Sequence, residues 1–241
     1  MGAVKGFIDS FDDSDKLQQA AKANLQDLAA YANEKAKAIK DEIYQSIVSA
    51  DSTDNPPRNL DQYKGAIDNI IQQDNETHAY HSDNADSIKD AVSDVLSGLL
   101  NQEGDELKTG AQKVVTSAID ALFGSTSAGE DTTELYFLAR DNFTVVRIDL
   151  KAWKREVSST SLREKVELVS AFGYTKSVVN AKKLGRDTLR NEFTPLITAT
   201  YPDLEPKESL AKLDEFIDQL LVEDKPTDKP ADKPKQKEPA Q

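Results

Sequence analysis

Apolar residues in the first fifth of the chain recur at helical spacing. Leu17, Ala21, Leu25, Leu28, Ala32, Ala36, Ile39, Ile43 and Ile47 are separated by steps of 4, 4, 3, 4, 4, 3, 4 and 4. Eleven residues over three turns is about 3.67 per turn, so the stripe keeps to one side of a nearly straight helix. The spacing predicts a long helix over 15–50, capped by Ser14 and ended by Pro56 and Pro57. Its alanines permit close approach of a partner. Shorter amphipathic helices are predicted next. Leu60, Tyr63, Ile67, Ile70 and Ile71 mark one, and Ile88, Val92, Val95, Leu96, Leu99 and Leu100 a second. Leu107, Ala111, Val114, Val115, Ala118, Leu122 and Phe123 mark a third, stopped by Gly124.

Between Asn142 and Val157 the period changes to two. Val146, Ile148, Leu150 and Ala152 alternate with Arg147, Asp149 and Lys151, the mark of a half-buried strand. The apolar run "ELYFLAR" from Glu134 precedes it, with a turn at Asp141–Asn142, so the two read as a β-hairpin. Beyond "SSTS", Leu162, Val166, Val169 and Phe172 step at helical spacing; "KVELVSAFGY" also alternates, and helix is the expectation. A further helix is expected to start near Asp187 and meet Pro195. The last opens at Pro206 and carries Leu210, Leu213, Phe216, Ile217, Leu220 and Leu221 on one stripe. The expected fold class is α+β and predominantly α-helical: a long N-terminal helix, further amphipathic helices and a small antiparallel β-hairpin packed by helices. Residues 1–223 form one domain in this reading. The DKP repeat of 224–241 has no apolar cluster to bury and reads as a disordered tail.

Composition narrows the function classes. The chain has 241 residues, 38% of them hydrophobic, and no cysteine. Disulfides, thiolate metal sites and cysteine nucleophiles are thereby excluded. No apolar run reaches the ~18 residues of a membrane helix, and the start lacks the apolar core of a secretory signal. Cytoplasm is the default expectation, with non-classical secretion as the exit route. The net charge of −13 repels phosphate backbones, which argues against nucleic acid. From Phe143 to Arg190, however, eleven Lys/Arg stand against five Asp/Glu. That basic segment either meets an anionic surface or packs against the protein's own acidic helices.

Searching for chemistry yields no phosphate loop, dinucleotide fingerprint or nucleophile elbow. The two histidines, His78 and His81, lie in "DNETHAYHSDNAD" with Asp74, Asp83 and Asp86 near, which reads as a surface linker rather than a metal site. No cofactor is expected. Trp153 and Tyr174 stand among Lys151, Lys154, Arg155 and Lys176, an aromatic-plus-cation composition that suits a membrane interface. The alternative is a tryptophan at the edge of the core with snorkelling cations. Arg147, Lys151, Trp153, Lys154, Arg155 and Lys176 are the candidate lipid- or partner-binding residues.

"VVRIDLKAWKREVSS" followed by "VELVSAFGYTKSVVN" resembles Evf-type virulence-factor proteins of bacteria and fungi. In these an Arg-x-Asp strand precedes an aromatic residue and a helix with a Lys-Ser-x-Val segment. The matching positions are Arg147, Asp149, Trp153, Lys176, Ser177 and Val179, within a stretch from Leu135 to about Leu189. The family is associated with a lipid-modified cysteine in this region, which a cysteine-free chain cannot carry. The resemblance implies an α+β fold and a host-directed, non-catalytic role. Taken together, the expectation is a non-enzymatic binding protein, a virulence or toxin-like factor acting at an anionic membrane or on a host protein. The alternative is an intracellular structural or assembly protein that forms homo-oligomers through its long helix.

Overall fold

The computed structural model of the chain describes residues 16–52, 63–80, 86–99, 106–124, 129–141, 144–157 and 168–221. Helix α1 spans Lys16–Ser52, 37 residues, or about 55 Å at ~1.5 Å per residue. Strand β1 is Ile67–Tyr80, helix α2 Asp86–Leu99 and helix α3 Glu106–Gly124. Strands β2 (Glu130–Asp141), β3 (Thr144–Glu156) and β4 (Leu168–Val179) follow. Helices α4 (Ala181–Thr200) and α5 (Pro206–Leu221) close the described chain.

The expected lone hairpin is half of a larger sheet. β2 and β3 pair as expected, but β4 adds to β3 and β1 adds to β4, giving a four-stranded antiparallel sheet in the order β1-β4-β3-β2. Two segments read as helix are therefore strands. In β1 the register shifts twice, between Ile67 and Asn69 and between Ile70 and Gln72. Ile67 pairs with Val179 and Ile70 with Ser177, so residues three apart face the same side. Bulges thus imitate a helical spacing. In β4, Val169 and Phe172 point to opposite faces, and both are buried because both faces are covered.

α1 lies over one face of the sheet, along β4, β1 and β3. Its stripe of Leu25, Ala29, Ala32, Ala36, Ile39, Ile43 and Ile47 is buried there. Gly173 of β4 permits the approach: a Cβ on it would stand 2.8 Å from Ile39 Cγ2. On the other face Phe137, Ala139, Val146, Ile148, Leu150 and Phe172 are buried, and α3 packs across β2 and β3. α4 packs on α3 and reaches β2, with α5 against it through Phe193 and Phe216, whose ring centroids are 4.9 Å apart.

α4 starts earlier than expected and does not stop at its proline. The Asn180 side chain accepts from the Lys183 amide and caps a first turn, which Gly185 breaks at φ 77°. Regular helix resumes close to Asp187 and runs through Pro195 to Thr200. Pro195 has no N–H, so the Asn191 carbonyl loses its helical donor. Among the described residues no helix is long and apolar enough to cross a membrane. Ser14, the Asp141–Asn142 turn, "SSTS", His81 and the DKP tail lie outside the described residues wholly or in part.

Candidate binding site

The six residues singled out from sequence do not form one surface. Strand geometry places Arg147, Lys151, Trp153 and Arg155 on the α1 side of β3, and Lys154 and Lys176 on the other. Lys154 is buried. Lys176, also buried, donates to the Leu99 carbonyl and to Asp141 Oδ2. The α1 side therefore holds the denser group and forms two clusters.

The first surrounds Arg147, which is fully buried. Residues i and i+2 of a strand share a face, so Arg147 meets Asp149 directly. Arg147 Nε lies 3.0 and 2.9 Å from the two carboxylate oxygens, and Nη2 donates to Oδ1 at 2.7 Å. Its guanidinium is sandwiched between two rings, 4.3 Å from the Tyr63 centroid and 3.8 Å from that of Tyr136. Both phenols turn to α4: Tyr63 donates to Glu192 Oε2 at 2.7 Å and Tyr136 to Oε1 at 3.5 Å. Burial raises both phenol pKa values above the ordinary range, so both stay neutral donors. Burial opposes the charge on Arg147, but Asp149 beside it holds the guanidinium more firmly protonated. Next to this group, β4 contributes Thr175 opposite Asp149 and Ser177 opposite Arg147. Both hydroxyls are buried and lack a hydrogen-bond partner among the described residues.

The second cluster gathers on Glu130 at the other end of the sheet. Its carboxylate accepts from Tyr31 at 2.8 Å and from Trp153 Nε1 at 3.1 Å, and pairs with Lys35 at 3.3 Å and Arg155 at 3.5 Å. The hydrogen bond from Tyr31 leads the causes that lower the Glu130 pKa. Trp153 is buried, edge-on to Tyr31 at 5.5 Å. Between the clusters Lys151 pairs with Glu42 of α1 at 2.7 Å and Glu134 of β2 at 3.7 Å. Arg147, Lys151 and Arg155 thus meet the chain's own acids, with Arg155 the most exposed of the three at 43% of its side chain.

His78 lies in β1 rather than in a linker. It stacks on Phe172 at 5.6 Å and contacts Glu76 at 3.3 Å, and burial lowers its pKa. Among the described residues no group of His, Asp and Glu is arranged to hold a metal. A cleft of about 350 Å³ opens between β2 and α4, where Tyr136, Asn191 and Glu192 meet Val114, Phe137 and Leu196. Sequence reasoning missed Tyr63, Tyr136 and Glu192, which come together only through the sheet. The Arg147–Asp149 pair was readable from the period of two. No protein-family model matches the chain, and no curated protein matches it at a significant level.

Proposed function

We propose that the chain is a non-catalytic binding protein that recognises a protein partner through its outer surface. The observation that carries this reading is the use of the polar groups inside the fold. Arg147, Lys151, Trp153, Arg155 and Lys176 are engaged with Asp149, Glu42, Glu130 and Asp141. Neutral phenols and a carboxylate-bound guanidinium are poor nucleophiles and poor bases. What the surface offers instead is apolar: Tyr44, Val48 and Ile71 are each more than two-fifths exposed. The long helix is committed to the chain's own sheet through its buried stripe. Cytoplasm is the compartment that accompanies this reading.

A second reading, a virulence or toxin-like factor acting at anionic membranes after non-classical secretion, has its own support. α1 covers a sheet face that carries charges and two hydroxyls, Thr175 and Ser177, without partners among the described residues. Lifting α1 would take Glu42 from Lys151 and Tyr31 and Lys35 from the Trp153–Glu130–Arg155 group, exposing Lys151, Trp153 and Arg155 together. A tether separates the two readings. Asn33 of α1 and Thr77 of β1 touch at 3.0 Å, and in a cysteine-free chain N33C/T77C introduces one defined pair. Co-sedimentation with phosphatidylserine vesicles at low salt is the assay. The first reading expects no binding in either redox state. Binding by the reduced protein that is lost on oxidation supports the membrane reading, and equal binding in both states contradicts both accounts.

A further inference from the structure

Among the described residues the outer edge of β1 is open. Its backbone pairs with β4 alone among the described residues. The strand is 14 residues long, with no proline and no lysine. Natural edge strands are commonly kept short or blunted by those two residues. From Gln72 to Tyr80 its register with β4 is unbroken. Nine successive residues therefore present a regular edge that pairs with no second strand among the described residues.

Three of the four large apolar side chains exposed among the described residues stand at the Gln72 end of this edge, beside the bulged start of the strand. Asn33 touches Thr77, and Gln73 Nε2 donates to the Lys40 carbonyl at 2.9 Å. α1 and β1 thus run antiparallel, with the Asn33 and Lys40 flank of α1 turned to β1. Glu42, Lys35 and Tyr31 on the opposite flank meet Lys151 and the Glu130–Trp153 cluster. One turn beyond Lys40, about 6 Å along the helix, stands Tyr44. Two residues back from Gln73, about 7 Å along the strand, stands Ile71. Val48 follows Tyr44 by another turn. Tyr44 is 42% exposed, Val48 46% and Ile71 47%. Ile71 sits in the bulge between Ile70 and Gln72, which takes it out of the regular alternation. The charges along the strand are acidic: Asp68, Asp74 and Glu76.

We propose that the β1 edge binds an extended basic peptide segment by strand addition, with its apolar side chains against Tyr44, Val48 and Ile71. The open ladder supplies backbone hydrogen bonds, the apolar flank takes alternate side chains of the incoming strand, and Asp74 and Glu76 select lysine or arginine between them. This rests on the protein-partner reading above and names its surface. A second copy of the chain fits less well, since each copy carries a net charge of −13 and the same acidic edge.

The test is fluorescence anisotropy on the full chain with a labelled peptide of alternating valine and lysine. A peptide with alternate backbone nitrogens methylated keeps the charge and loses the ladder. The expected result is binding of the plain peptide, no binding of the methylated one, and slowed amide exchange over Gln72–Tyr80 in the complex. Asp74→Lys and Tyr44→Ser/Val48→Ser should each weaken binding by about tenfold with an unchanged melting midpoint, as exposed sites allow. Equal binding of both peptides would mean attraction by charge alone and would overturn the proposal. Failure of the plain peptide to bind overturns the edge as a site; the vesicle assay still decides the protein-partner reading separately. A concentration-dependent dimer lost in the same variants would assign the edge to a second copy instead.

Discussion

The two faces of the sheet are both buried, yet their centres are built from different chemistries. Under α3 the centre of the face is a core of Phe137, Val146, Ile148, Leu150 and Phe172, with the buried Lys154 and Lys176 toward its margins. Under α1 it carries Arg147, Asp149, Thr175 and Ser177, all within 7% of full burial. The first face is held by area removed from water. The second depends on each charge having its partner, because a buried charge without one is far costlier than an imperfect apolar contact. One sheet therefore shows two kinds of sensitivity to substitution.

The largest effect is expected where a charge loses its mate. Arg147→Leu strands Asp149 and should cost ~3–5 kcal/mol. Arg147→Leu combined with Asp149→Leu should cost clearly less than the single change, since the pair is removed together. Chemical denaturation of the three proteins measures the coupling, and additive losses would sever the pair. On the apolar face Ile148→Ala should cost ~2–4 kcal/mol through its cavity, with no rescue available from a charge change.

The contact of α1 with β4 gives a smaller effect of opposite origin. Gly173→Ala drives a methyl group toward Ile39 and should cost ~1–3 kcal/mol by overpacking. Joined to Ile39→Ala it should cost less than the sum of the two changes, because the methyl group then fills the space. Additivity would mean that α1 does not approach β4 as described.

The smallest expected effect is pH-dependent and lies on the α3 side of β1. Burial leads the causes that hold the His78 pKa below its ordinary value. The unfolded chain then takes up the proton first, so this contribution to stability is full above a pH of about 6.5 and declines as pH falls below it. The melting midpoint should drop between about pH 7.5 and about pH 5.5, and His78→Phe should reduce that drop. An identical drop in the variant would assign it to other groups.

These differences also explain what was legible in the sequence. Helices α1, α2, α3 and α5 each bury one stripe, and a stripe with period near 3.6 can be read without knowing its partner. β3 was legible by its period of two, but the covered polar face was not: Arg147 and Lys151 look like a solvated face until Asp149, Glu42 and Glu134 are placed beside them. β4 hid because burial on both faces weakens its alternation. β1 hid because its bulges set Ile67 and Ile70 on one face at a helical interval. For the basic segment the sequence left two alternatives, an anionic surface or the chain's own acids, and only the fold shows which acids stand beside Arg147, Lys151 and Arg155. Tyr63, Tyr136 and Glu192 carried no local signal, being 56 residues or more apart in sequence between phenol and carboxylate.

Trp153 offers the most direct test of the central claim, that the charged face of β3 is interior. It is the chain's only tryptophan, 2% exposed, and its indole N–H is held by Glu130 beneath Tyr31 of α1. Steady-state fluorescence with acrylamide quenching reports on it without any label. The account predicts blue-shifted emission and weak quenching in the native protein, both changing to the values of free tryptophan on unfolding. Native emission and quenching already equal to those of the unfolded chain would place Trp153 in solvent and contradict the covering of this face by α1.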